Sequence, residues 1–297
     1  MCGIAGLFLK DAKLERDLGS MLAGMLSPLN DRGPDSAGFA VYGAETPGHV
    51  KFTLRLSSTT DLDELLKELR DSVGCPLTHR LHGTHVVLSI PAEQASPARR
   101  VLAGFDGVAI VGGGRRMEIF KEIGRPDDVS RQFGLGRMRG THAIGHTRMA
   151  TESAVTTNGA HPFTTGDDQC LVHNGSLSNH CAVRRELFKK GLSFQTENDT
   201  EVAAGFITAK LHEGGSLQQA MEACLDALDG FYTFVIGTEG GFGVLRDPIA
   251  CKPAVVAETD RLVAFGTEYR ALVDLPGIAS AKVWEPAPAT VYRWELH

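Results

Sequence analysis

The second residue of this chain is a cysteine, and the seven residues after it, Gly3 to Leu9, carry no polar side chain. An apolar run of that length, closed by the polar pair Lys10-Asp11, reads as a buried strand. Any fold must therefore take a core strand at its start, with a thiol at the tip. If Met1 is removed, Cys2 becomes the N-terminus and carries both a thiol nucleophile and a free α-amine. In model peptides the α-amine titrates at about 7.7–8.0 and the thiol at roughly 8.5. Near neutrality the amine can take the thiol proton, directly or through one water. A nucleophile served by its own terminal amine is a recurring mode of activation. The alternative is an inert thiol, since free cysteine packs as a small hydrophobe. Position alone favours the inert reading, and motifs farther along reverse it.

The strand and helix patterns are grouped along the chain rather than strictly alternating. Strands are expected over residues 3–9, 37–42, 50–56, 85–90, 107–111 and 142–147, and from residue 170 to a stop at His173-Asn174-Gly175. Others are expected over 232–237, 242–246, 254–257, 262–266 and the tail after Val283. Helices are expected over 14–29, 61–73, 181–190, 199–212 and 217–228, where apolar residues recur at intervals of three and four. A further helix is expected from Ser96-Pro97, and another over Arg115 to Glu122. Grouping of this kind favours an α+β arrangement of antiparallel sheets with segregated helices. Gly112-Gly113-Gly114 follows a strand, but Met117 stands where a dinucleotide fingerprint needs its third glycine, so a tight turn is the better reading.

A chain of 297 residues can bury the core of one large domain or two modest ones. The formal charge of −6 argues against general nucleic-acid binding. No apolar run approaches the roughly eighteen residues of a membrane-spanning helix, and the short apolar start lacks the basic lead of a secretory signal. The expected location is the cytoplasm, with no membrane partner. The six cysteines are scattered, without a C-x-x-C pair, so neither a metal site nor a disulfide framework is expected.

Five polar clusters punctuate these elements: Arg32-Gly33-Pro34-Asp35-Ser36, Gly145-His146-Thr147-Arg148-Met149-Ala150-Thr151, His161-Pro162, His173-Asn174-Gly175 and Glu197-Asn198-Asp199-Thr200-Glu201. Each alone is explained by turn or cap chemistry. Asn174-Gly175 in particular is a common hairpin dipeptide. In this order, behind an N-terminal Cys-Gly-Ile, they form a more specific set.

That set resembles the glutaminase domain of class II glutamine amidotransferases, the N-terminal-nucleophile family, over residues 2–42 and 140–270. The resemblance implies a four-layer αββα sandwich and hydrolysis of the side-chain amide of L-glutamine to glutamate and ammonia. It implies one such domain over 2–297, and residues 57–135, which are less tied to these motifs, are expected as an inserted subdomain. Cys2 would be the nucleophile that forms a thioester, and its α-amine the base and later the acid. The oxyanion donors would be the Asn174 side-chain amide and the Gly175 N–H, a kind of group whose loss costs roughly 10²–10³ in kcat. Arg148 would grip the substrate α-carboxylate bidentately, Thr151 would add a hydroxyl, and Asp199 would hold the α-ammonium. Arg32 and Asp35 would organise the turn beside Cys2, with His161 in support. The chain departs from many family members at Glu152, where they carry histidine.

Relatives with a fused synthase continue for hundreds of residues, so the ammonia acceptor is expected on another chain. The runs Met1 to Asp11, Asp31 to Gly38 and Gly140 to Ser153 look most like the separate amidotransferase subunit of N-methylglutamate synthase and its glutamate-synthase-like relatives. Partners in that group carry FMN and an iron–sulfur centre, and no cofactor is expected on this chain. Two other readings share parts of the pattern: an N-terminal-nucleophile hydrolase acting on a different amide, and a non-catalytic regulatory subunit.

Overall fold

A computed structural model describes residues 2–150 and 154–296. Strand Gly3–Leu9 lies inside a seven-stranded sheet, paired antiparallel with Leu262–Gly266 on one side and His142–Arg148 on the other. Ser36–Tyr42 and Met117–Ile123 extend this sheet beyond His142–Arg148, and Val255–Glu258 and Lys282–Trp284 extend it the other way. A second, five-stranded sheet runs in the order Val291–Glu295, Gly241–Arg246, Gly230–Thr238, Gln169–Leu177, Phe163–Gly166. The named strand pairs in both sheets are antiparallel.

Alternation along the first strand explains its wholly apolar sequence, because successive side chains of a strand face opposite sides. Ile4 and Phe8 point between the sheets, where they meet Val172, Val235 and Phe242 of the second sheet. Ala5, Leu7 and Leu9 point outward, onto Leu18, Leu22 and Leu26 of the helix Leu18–Leu26. The outer face of the second sheet, including Leu171, Phe234 and Ile236, packs on the helices Asp199–His212 and Leu217–Ala227. The layers are therefore helix, sheet, sheet, helix, the αββα sandwich that the resemblance implies. Each sheet is buried on both faces, so its strands carry apolar residues at nearly every position.

A third, four-stranded sheet is built from Thr78–His82, His85–Pro91, His49–Leu56 and Val108–Gly114. It has its own core with helices Leu62–Val73 and Ala95–Gly104, centred on Phe52, Leu66, Leu88 and Leu102. This unit spans residues 49–114, which is not the 57–135 expected from sequence. Its first strand precedes residue 57, and residues 117–133 return to the main sheet and its helical layer.

The helix expected over Arg115 to Glu122 is instead the edge strand Met117–Ile123. Its pairing with Ser36–Tyr42 buries Met117 and Ile119 between the sheets and Phe120 on the other side. Tertiary pairing overrides the local pattern there. The helix expected over 14–29 is split into 3-10 turns at Ala12–Asp17 and Ser27–Leu29 around the α-helix Leu18–Leu26. Gly112 to Gly114 close a strand rather than form a separate turn. Strand Thr78–His82 and helix Pro126–Phe133 were not expected from sequence. Among the described residues, no helix is long and apolar enough to cross a membrane.

Candidate active site

Cys2 sits at the open end of the first strand, half-buried, in a position fixed by both neighbouring strands and by the facing sheet. On one side, Gly3 pairs with Thr147, which brings the end of His142–Arg148 alongside. On the other, Thr267 accepts from the Ile4 N–H through Oγ1 at 2.8 Å and donates its own N–H to the Ile4 carbonyl at 3.0 Å. The Cys2 Sγ lies 3.9 Å from the Met149 carbonyl oxygen.

Arg32 and Asp35 act on this corner from the turn before Ser36–Tyr42. Arg32 Nε donates to the Cys2 carbonyl oxygen at 3.2 Å, while its guanidinium pairs with Glu268. Asp35 accepts from the Ala150 N–H at 2.8 Å and donates its own N–H to the Arg148 carbonyl at 3.1 Å. The carboxylate and backbone of one residue thus clamp the chain on both sides of Met149. Gly33 permits the approach: a Cβ there would stand 2.5 Å from the Thr147 carbonyl carbon.

Asn174 reaches Cys2 from the second sheet. Its Nδ2 donates to the Cys2 carbonyl oxygen at 3.3 Å, and the residue is 2% exposed. Asn174-Gly175 is not a hairpin turn. Both residues lie within Gln169–Leu177, opposite Thr233 and Tyr232, because the strand runs on past the dipeptide to Leu177. Gly175 has φ +153°, and a Cβ would stand 2.0 Å from the Phe231 carbonyl oxygen. Only glycine fits that backbone without a shift.

Asp199 opens the helix Asp199–His212, whose N-cap Asn198 accepts from the Thr200 N–H at 2.9 Å. One Asp199 oxygen accepts from the Leu177 N–H at 2.9 Å, two residues past Gly175. The other lies 3.6 Å from His173 Nδ1. Burial pushes this carboxyl up, but His173, the Leu177 N–H and nearby His180 outweigh it and hold the group at about 2. Asp199 is therefore a fixed anion at neutral pH.

Arg148 ends its strand, 5% exposed, with Nη1 donating to the Ala154 carbonyl at 3.4 Å. It borders a cavity of about 750 Å³ whose walls include Thr156, Asn158, Gly159, Gln195 and Asn198. Cys2 and Asn174 are not in that wall; Cys2 connects to it through Met149, next to Arg148. His161 is buried, with Nε2 2.8 Å from Thr200 Oγ1, and its ring stacks on His146 at 4.0 Å. Burial holds both imidazoles low, His146 at about 3, so both are neutral near pH 7. Thr151 and Glu152 lie outside the described residues.

The structure gathers Cys2, Arg32, Asp35, Arg148 and Asn174-Gly175 at one corner, with Asp199 joined to the same strand as Asn174. Sequence reasoning missed several residues that hold this corner together. His173 stands beside Asp199, and its carbonyl oxygen accepts from His146 Nε2 at 2.9 Å across the sheets. Thr200 Oγ1 joins His161 and His173, the latter at 3.0 Å. Thr267 and Glu268 fix Ile4 and Arg32. Lys121 is buried in the strand that was expected as a helix, and its Nζ donates to the carbonyls of Asn158, Ala160 and Pro162 at 3.1, 2.8 and 3.3 Å. His173 and Thr200 did lie inside motifs noted from sequence; Thr267, Glu268 and Lys121 carried no local signal of a partner.

Two doubly covered antiparallel sheets, with a cysteine at the head of a central strand, define the N-terminal-nucleophile hydrolase fold. A model of the glutamine amidotransferase domain matches residues 146–274. The chain is 57% identical over 297 residues to the glutamine amidotransferase-like protein GlxB of Rhizobium meliloti (strain 1021), covering 99% of this chain and 98% of that one. It is 33% identical over 313 residues to a putative glutamine amidotransferase of Methanothermobacter thermautotrophicus, covering 99% and 100%. The chain belongs to the class II glutamine amidotransferase family. Among solved structures, glutamine phosphoribosylpyrophosphate amidotransferase from B. subtilis superposes with a TM-score of 0.64 at 20% identity. That alignment covers 99% of this chain but 47% of the other, so the chain spans about half the length of that enzyme.

Proposed function

We propose that the chain hydrolyses the side-chain amide of L-glutamine at Cys2 and delivers the ammonia to a synthase on separate chains. The observation that carries this reading is the meeting of Asn174 with Cys2 across the two sheets at 3.3 Å. Removal of Met1 frees the Cys2 α-amine, which takes the thiol proton. The sulfur attacks the amide carbon, and the carbonyl oxygen becomes an oxyanion beside the Asn174 Nδ2 and the Gly175 N–H. The protonated amine returns its proton to the leaving nitrogen, ammonia departs, and a thioester remains. Water, deprotonated by the same amine, then attacks the thioester and releases glutamate and the thiol.

Arg148 is the grip for the α-carboxylate and Asp199 for the α-ammonium, so free glutamine is preferred over a protein side chain. Thr151 adds its hydroxyl to the grip. Arg32 and Asp35 hold Cys2 and the segment around Met149, and His161 supports the start of the Asp199 helix through Thr200. Two charged clamps of opposite sign favour an amino acid over a simple amide. A Cys2→Ala protein should release no glutamate from glutamine, while a diazo-ketone analogue of glutamine should label the Cys2 sulfur of the processed wild type. Wild-type turnover by Cys2→Ala would falsify the assignment.

For the acceptor, the motif resemblance supports a synthase of the N-methylglutamate or glutamate synthase kind, with FMN and iron–sulfur chemistry on its own subunits. Affinity purification of the chain from its native host, followed by mass spectrometry and a flavin absorbance scan of the copurified proteins, tests this. Partners without flavin argue against it.

A further inference from the structure

On an otherwise acidic chain, one concave site is strongly cationic. A half-open pocket of about 360 Å³ lies where the third sheet meets the main sheet. Its wall carries Lys51, Arg80, Arg137 and Arg139 with His82, against the single carboxylate of Glu118. The volume is at the lower end of small-molecule sites, which run to roughly 300–1,000 Å³.

The cations come from separate elements that the fold brings together. Lys51 lies in His49–Leu56 and Arg80 and His82 in Thr78–His82, both of the third sheet. Glu118 lies in Met117–Ile123 of the main sheet, and Arg137 closes the 3-10 turn Leu135–Arg137. Glu118 Oε1 already serves two of them, accepting from Lys51 Nζ at 3.0 Å and Arg80 at 2.6 Å. Arg137 and Arg139 are exposed, and among the described residues no carboxylate pairs with either. The Arg137 guanidinium lies beside the preceding turn. Gly134 turns the chain at φ +70°, and a Cβ there would stand 2.9 Å from Arg137 Nη2.

Concave walls of one charge concentrate counter-ions of the other. Guanidinium groups bind phosphate and carboxylate through paired, directional N–H donors. We propose that this pocket is a binding site for a small multivalent anion, a phosphate ester or a polycarboxylate, gripped by Arg137 and Arg139 over the Lys51–Glu118–Arg80 floor. The site is separate from Cys2, and the proposal does not rest on the glutaminase reading.

Isothermal titration of the full chain with pyrophosphate and with citrate, in low-salt buffer, tests it. Saturable binding of at least one probe is expected, weakening as sodium chloride is raised. Arg137→Ala and Arg139→Ala should each weaken it by about tenfold. Arg185→Ala, an exposed arginine on the helix His180–Lys189, which packs on Asp199–His212 in the other helical layer, should leave it unchanged. Pyrophosphate alone binding would assign the site to phosphate esters, and citrate alone to polycarboxylates. Absence of saturable binding by both probes overturns the proposal. So does equal affinity in a folded Arg137→Ala/Arg139→Ala double variant, with folding checked by circular dichroism; if the double variant does not fold, unchanged affinity in both single variants decides against it equally.

Discussion

The side-chain amide of Asn174 in the second sheet hydrogen-bonds the carbonyl oxygen of Cys2, which heads a strand of the first sheet, at 3.3 Å. On the proposed reading, the same amide also serves the oxyanion that develops on the substrate carbonyl oxygen when the Cys2 sulfur attacks. Replacing Asn174 with alanine should lower kcat for glutamine hydrolysis by roughly 10²–10³, with KM much less affected. Steady-state glutamate release measures both. A KM effect with unchanged kcat would move Asn174 from oxyanion donor to substrate anchor.

Gly175 has no room for a larger residue, since a Cβ would meet the Phe231 carbonyl oxygen at 2.0 Å. Gly175→Ala should force Gln169–Leu177 away from Gly230–Thr238, costing at least about 1 kcal/mol of stability. Thermal unfolding reads the cost, and loss of turnover should accompany it because the same backbone carries the Gly175 N–H.

Asp199 is held at about 2, below its ordinary 3.8. A carboxyl depressed on folding contributes stability above its unfolded pKa and loses it as pH falls through the folded value. The contribution is about 2 kcal/mol near neutrality. Asp199→Asn should therefore unfold more readily than wild type at pH 6, and the difference should close between about pH 4 and 2. Denaturant titrations at stepped pH follow this. The same variant should raise KM for glutamine, and a glutamine KM unaltered in Asp199→Asn would remove Asp199 from the ammonium site.

Lys121 shows a linkage of the same sign in a higher pH window, with burial as its main cause. Burial lowers its ammonium from 10.5 to about 7, despite the attraction of Glu201. The folded protein then binds fewer protons at this residue than the unfolded chain between those values, so its contribution to stability rises with pH across that window. Relative to Lys121→Met, wild type should gain stability from pH 7 to pH 10. Parallel curves for the two proteins would mean the ammonium stays charged in its cage of carbonyls.

Local pattern made some elements readable. The first strand is apolar throughout because both its faces are covered, and helix Asp199–His212 announces itself by Asn198 and the spacing of Val202, Phe206 and Ile207. Met117–Ile123 defeated the same reasoning because buried Lys121 interrupts any simple alternation. The exposed strand Thr78–His82 offers only one apolar residue, Leu81, and that one faces solvent. At the candidate site, the motifs marked Cys2, Arg148 and Asp199, but the contacts between them were hidden. Glu268 meets Arg32 across 236 residues of chain, and no spacing rule spans that distance.

Strand Gly3–Leu9 has Leu262–Gly266 as one of its two neighbours, and its Ile4 N–H waits for a hydroxyl 263 residues downstream. Native pairing on that side cannot form until almost the whole chain has left the ribosome. That edge of the first sheet therefore closes late in folding, after the elements that separate its partners along the chain have formed.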